Sequence, residues 1–177
     1  MIEWILHRPP HESNSAEIRT AELLRSLETS PYVWTVVWGY YYRDRSGMDR
    51  EGDFLILGPA GGLLVLEVKS SLPRHFAATG KWEGEDGSDP IQQLIGEWQG
   101  VIKAIEAKGR VPYVAKALCV PGADAPHDVE FVQGVQRSWL VTGNDFDDWT
   151  RTWVRLFGDK VRRSVEQDQK RAFLQAF

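Results

Sequence analysis

Between Glu51 and Ser70 the chain reads E-G-D-F-L-I-L-G-P-A-G-G-L-L-V-L-E-V-K-S, with apolar runs at Phe54–Leu57 and Leu63–Leu66 on either side of Gly58-Pro59-Ala60-Gly61-Gly62. Apolar runs bounded by glycine and proline read as strands, and this short glycine-rich connection closes them into a β-hairpin. If the turn is symmetric, Leu57 faces Leu63 and, counting outward, Asp53 falls opposite Glu67. Directly opposed residues have Cβ atoms about 4.5–5.5 Å apart, and like charges placed so are destabilising. Side chains alternate along a strand, so Lys69 shares the face of Glu67. The hairpin thus gathers two carboxylates and an ammonium on one patch of an otherwise oily sheet. A cation between the carboxylates removes the conflict, and Mg²⁺ is typically held by one or two carboxylates plus phosphate oxygens. The plainer alternative is a Glu67–Lys69 ion pair at a strand end with Asp53 solvated in a turn. The hairpin alone leaves both open.

The chain has 177 residues, which suits one domain over 1–177, with a core over about 15–142 and a helical extension over about 146–177. Its 42% hydrophobic and 26% charged content is that of a globular protein. The single cysteine, Cys119, excludes an internal disulfide framework and a multi-cysteine zinc site, and it fits a reducing compartment. His7, His11, His75 and His127 are scattered without metal-ligand spacing. No basic-then-apolar leader is seen, and no apolar run approaches the roughly 20 residues a bilayer needs, so a soluble, cytoplasmic protein is expected. The net charge of −4 argues against holding nucleic acid by an overall positive field, but it leaves room for a carboxylate metal site with local basic residues. Eight tryptophans suit core anchoring or, more sharply, base stacking.

A helix is expected over Asn14–Leu27, where Asn14 and Glu17 resemble a capping box. A long strand follows over Val33–Tyr42. The polar loop Arg43–Arg50 carries Arg43, Arg45 and Arg50 just before Asp53, either as phosphate contacts or as solvated charges. Ser70–Asp89 is irregular, apart from a short strand at Gly80-Lys81-Trp82. Its Arg74 and Lys81 suit a polyanion path or plain surface. Asp89 and Pro90 start the clearest helix, as N-cap and first residue. Ile91, Leu94, Ile95, Trp98, Val101, Ile102 and Ile105 give it a core-facing stripe, and Gly109 ends it. Strands are expected at Val111–Val120 and Ser138–Thr142, with a loop over Asp124–Gly134 between them and a helix over Phe146–Phe157 after them. A basic amphipathic helix runs from Lys160 to Phe177, with a solvated or a docking face. This order gives one mixed sheet flanked by helices, an α/β fold. No Walker A or G-x-G-x-x-G motif is present, so ATP-driven activity would have to come from elsewhere.

An αβββαβ order with an Asp, then Glu-x-Lys on the next strand of a hairpin, resembles the restriction-endonuclease-like PD-(D/E)xK nucleases. More narrowly, Gly52–Lys69, then Gly80-Lys81-Trp82, then Pro90-Ile91-Gln92-Gln93 are similar to the nuclease-related domain (NERD) family. The likeness runs over roughly Ser15 to Lys108. It implies a metal-dependent DNA nuclease using Mg²⁺ or Mn²⁺, often joined to or working beside a helicase, in DNA processing or defence against foreign DNA. By position it implies Asp53 and Glu67 as metal ligands and Lys69 as the water-orienting or charge-stabilising group. It also implies Glu17 as a further acidic group directed at the metal, and Gln93 as a group positioning water or phosphate. As simpler readings, Glu17 caps its helix and Gln93 is an ordinary polar residue at a helix start. Two positions depart from the pattern: Gly52 stands where the superfamily motif has proline, and Ser70-Ser71 replaces a polar–aromatic pair. A non-cutting module that docks a helicase on nucleic acid, and an RNA-cleaving enzyme, are the competing functions.

Overall fold

The computed structural model describes residues 1–7, 13–44, 46–59, 61–76, 81–84, 87–109, 111–123, 139–158 and 173–177, with backbone alone at 75, 76, 81 and 82. The elements follow as β1 (Ile2–Leu6), α1 (Ser15–Leu24), β2 (Trp34–Arg43), β3 (Asp49–Leu57), β4 (Leu63–Val68), β5 (Arg74–Phe76), β6 (Lys81–Glu83), α2 (Pro90–Glu106), β7 (Val114–Val120), β8 (Leu140–Thr142) and α3 (Trp149–Phe157). A 3₁₀ turn over Arg25–Thr29 continues α1, and another over Gly143–Phe146 precedes α3.

Six strands form one mixed sheet in the order β1-β2-β3-β4-β7-β8. The β3–β4 hairpin lies at its centre, with Leu57 opposite Leu63 and Phe54 opposite Leu66, the register expected of a symmetric turn. Gly61 and Gly62 take φ of 98° and 83°, a region open to glycine, and the Gly58 N–H closes the turn on the Gly62 carbonyl at 3.1 Å. α2 crosses over to bring β7 parallel beside β4. Strands covered on both faces read as unbroken apolar runs, and every residue of β4 is buried.

Each face has its own core. On one, Ala21 and Leu24 of α1 and Trp149, Trp153 and Phe157 of α3 cover Trp34, Trp38, Phe54, Ile56 and Leu66. On the other, Ile91, Leu94, Val101 and Ile105 of α2, joined by Phe173, cover Leu55, Leu57, Leu63 and Val65. Strand alternation breaks at Gly39, where φ is 67°. Trp38 faces α1, whereas Tyr40 and Tyr42 both lie on the α2 side. Trp34, Trp38, Trp149 and Trp153 are core anchors, each at most 4% exposed.

Several boundaries differ from the sequence expectation, each for a local reason. α1 tightens into a 3₁₀ turn at Arg25 instead of continuing to Leu27. β7 starts after Pro112, at Val114. The expected helix from Phe146 begins at Trp149, because Thr142 and Asp145 form a capping box one turn earlier and Asp148 then caps Arg151. The short strand expected at residues 80–82 is β6, which pairs with β5 as a separate two-stranded sheet. The Asp124–Gly134 loop and most of the helix expected from Lys160 lie outside the described residues.

Candidate active site

The β3–β4 ladder runs out at Phe54 and Leu66. One step outward, the Asp53 side chain takes over from the ladder, and its Oδ2 accepts the Val68 N–H at 2.7 Å. Glu67, only 2% exposed, places Oε1 at 2.9 Å from Lys69 Nζ. The same ammonium donates to Gln93 Oε1 at 3.0 Å, which ties the first turn of α2 to the end of β4. The Lys69 N–H donates to the Cys119 carbonyl at 2.8 Å, anchoring that end against β7. Asp53, Glu67, Lys69 and Gln93 therefore share one spot. The Glu67–Lys69 ion pair of the plainer reading is present, but Asp53 is a partly buried strand residue and not a solvated turn residue.

Glu17 stands on the opposite side, on α1, and is buried. Its N–H donates to Asn14 Oδ1 at 3.0 Å, and Asn14 Nδ2 donates back to Glu17 Oε1. Glu17 thus shares in the helix cap, and its charge still reaches the site. Burial pushes the Asp53 carboxyl well above the usual carboxylate range, and Glu67 and then Glu17 push further in the same direction, whereas the Val68 N–H and Lys69 oppose them. Asp53 and Glu67 are the two carboxylates that could hold a cation here. Among the described residues no group of three or more His, Cys, Asp or Glu side chains is placed to hold a metal ion, so Glu17 does not join Asp53 and Glu67 as a third direct ligand. Such a donor set suits a hard ion that keeps most of its water and takes one or two carboxylates, as Mg²⁺ does.

Beside these groups opens a cleft of about 290 Å³, lined by Lys69, Ser70 and Ser71, by Asn14 and Ser15 at the start of α1, and by Pro90 at the start of α2. The starts of α1 and α2 face this cleft with their positive dipole ends, but their caps already take first-turn N–H groups: Asn14 Oδ1 accepts from Glu17, and Asp89 Oδ1 accepts from Ile91 and Gln92. Ser70 and Ser71, the second departure from the family pattern, are thus part of the cleft wall.

Two participants escaped the sequence reading. Glu97 of α2 is 1% exposed, and the Tyr40 hydroxyl donates to its Oε1. Burial, and next the adjoining Glu67 carboxyl, push Glu97 well above the usual carboxylate range. Gly52 explains how the pair fits, since a Cβ there would lie 2.3 Å from Glu97 Oε1 and 2.4 Å from Tyr40 Cζ. This close approach accounts for glycine where the superfamily motif has proline. The available signal was the spacing of Gln93 and Glu97, four residues apart and so on one side of the helix.

The basic residues are less concentrated. The β2–β3 ladder continues out to Arg43 and Asp49, past the end of β4, as a two-stranded ribbon beside the site. There Arg43 pairs with Asp49 at 3.0 Å and Arg50 with Asp44 at 2.9 Å, so both cations already have carboxylate partners in the ribbon. Hydrogen bonds from Ser46 and Arg50 hold Asp44 well below the usual carboxylate range. Arg74 is exposed on β5, whereas Arg45 and the Lys81 side chain lie outside the described residues. Among the described residues no helix is long and apolar enough to cross a membrane.

A six-stranded mixed sheet flanked by helices, with Asp and Glu-x-Lys at the open end of its central hairpin, has the restriction-endonuclease-like architecture. Within that class the nuclease-related domain model matches residues 12–121, more than half of the chain and all of the candidate site. The protein belongs to the NERD family, and its function is nuclease-related. No curated protein and no solved structure matches it.

Proposed function

We propose that the protein is a Mg²⁺- or Mn²⁺-dependent DNA nuclease that hydrolyses phosphodiester bonds at the open end of the β3–β4 hairpin. The observation that carries this reading is the meeting of Asp53, Glu67, Lys69 and Gln93 beside an open cleft. Asp53 and Glu67 would hold the cation, with Glu17 contributing through water. When bound, such an ion neutralises the scissile phosphate and makes a bound water a stronger nucleophile. The chain's own groups do the positioning. Gln93 steers the Lys69 ammonium, which sits where it can orient water and stabilise charge developing on phosphate oxygens. Lys69, on the cleft wall, is the cation that would meet the backbone phosphate. Family likeness supports a setting alongside a helicase, in DNA processing or defence, as part of this reading.

The test is nicking of supercoiled plasmid with Mg²⁺, Mn²⁺, Ca²⁺ or EDTA, run beside Asp53→Ala and Lys69→Ala and beside an RNA substrate. Cleavage of DNA is expected with Mg²⁺ or Mn²⁺ and is abolished by EDTA. Lys69→Ala should lower the rate about 10²–10⁴-fold, the usual loss for a proton-handling group. Absence of cleavage with every metal, together with nucleic-acid binding unchanged by EDTA, would make the domain a docking module instead.

A further inference from the structure

Glu97 occupies a place built for it by three elements. β2 turns Tyr40 toward α2 at Gly39, and the Tyr40 hydroxyl grips Glu97 Oε1. β3 leaves the space open at Gly52. α2 supplies the carboxyl itself, one turn beyond Gln93. On its other side the Glu97 carboxyl hydrogen-bonds to that of Glu67, which is itself 2% exposed. Glu67 is in turn fixed on its other side by Lys69 at 2.9 Å.

From this geometry we propose that Glu97, clasped by Tyr40, is a positioning residue that sets the carboxylate of Glu67 from the buried side. The inference rests on the functional reading above, in which Glu67 holds the cation. Changing a group that orients a metal ligand from behind typically costs about 10–100-fold in metal affinity. Removing Glu97 would open a void under Glu67 and leave its carboxylate free to swing on Lys69 alone. Glutamine in its place keeps the length, keeps an oxygen for Tyr40, and presents an N–H toward Glu67.

The experiment is calorimetric titration of the whole protein with Mn²⁺, beside thermal melts in EDTA and plasmid nicking, for wild type, Glu97→Gln, Glu97→Ala and Tyr40→Phe. Glu97→Ala should bind Mn²⁺ about 10–100-fold more weakly, and Glu97→Gln should stay within about threefold of wild type, since it retains the support. A role in packing alone would lower the melting temperature without changing the Mn²⁺ affinity of the folded protein, and that result would overturn the proposal. Equal loss in Glu97→Gln and Glu97→Ala would overturn it too, by making Glu97 a ligand in its own right. Where Glu97→Ala does not fold, Tyr40→Phe decides, because it removes only the hydroxyl. Weaker Mn²⁺ binding by that variant supports positioning, and unchanged binding overturns it. Wild type that neither binds Mn²⁺ nor cleaves would sink the nuclease reading itself. Wild type that binds and cleaves beside an unimpaired Glu97→Ala would sink this inference alone.

Discussion

Asp53 concentrates the electrostatic conflict of the hairpin. Burial, Glu67 and Glu17 all raise its carboxyl above the ordinary range, and Glu97 is raised by burial and by Glu67. A carboxyl whose folded value exceeds its unfolded one binds more proton in the native state. Its stabilising contribution is complete below the ordinary carboxylate range and is lost as the pH climbs through the raised value. Metal-free protein in EDTA should therefore lose stability as the pH is raised above about 5, by up to about 1.4 kcal/mol per pH unit for each such group. Asp53→Asn should flatten the profile, and Mn²⁺ should restore stability most at the alkaline end. Thermal melts across pH with EDTA or Mn²⁺ check this, and a melting temperature flat in pH without metal would contradict it. Asp53, Glu67 and Lys69 were legible in the sequence because a hairpin is a ruler, in which counting outward from Gly58–Gly62 sets every opposition. Gln93 was legible only by family likeness. Glu97 was not read, because its partner Tyr40 reaches the α2 side through a single reversed residue, Gly39.

Among the elements, α2 does the most to join parts of the site. Gln93, Glu97 and Gly100 recur at helical spacing and meet Lys69, Tyr40 and Tyr42 in turn. The apolar stripe correctly marked a core-facing helix, yet its most buried line is shifted toward Glu97 and Gly100, leaving Ile95, Trp98 and Ile102 only partly covered. That shift could not be read from periodicity, because it follows from how closely the helix lies on the β2–β3 ribbon. A Cβ at Gly100 would lie 2.4 Å from Tyr42 Cδ2 and 3.0 Å from the Arg43 carbonyl oxygen. Gly100→Ala therefore sets two effects against each other. Alanine gains about 1 kcal/mol of helix preference, and overpacking typically costs about 1–3 kcal/mol. With a ring on one side and backbone on the other, the clash should win. A net loss of about 1–2 kcal/mol in urea unfolding is expected, and a stabilised Gly100→Ala would show that the ribbon yields.

For the molecule as a whole, the sheet order was open in the sequence only as far as its αβββαβ core. Which strand lies beside which beyond the hairpin depends on the α2 crossover, which places β7 next to β4, and on β1 joining β2 in parallel. Distant segments also complete the α2-side core. Phe173 is fully buried there, and Phe177 packs its ring against Tyr40 with centroids 5.3 Å apart. Phe173→Ala should cost about 3–5 kcal/mol, the usual loss for a buried phenylalanine. Denaturant unfolding with an unchanged slope checks this, and a loss below about 1 kcal/mol would mean that the segment adds little to the core.

The volume that Gly52 yields to its neighbours ties three positions together. Tyr40, Gly52 and Glu97 come from three elements and fill one volume, so none can change size without a reply from the others. A lineage that acquired a side chain at 52 would have to give up bulk at 40 or reach at 97 in the same step. The three side chains thus behave as one unit of size, shared among a strand, its neighbour and a helix.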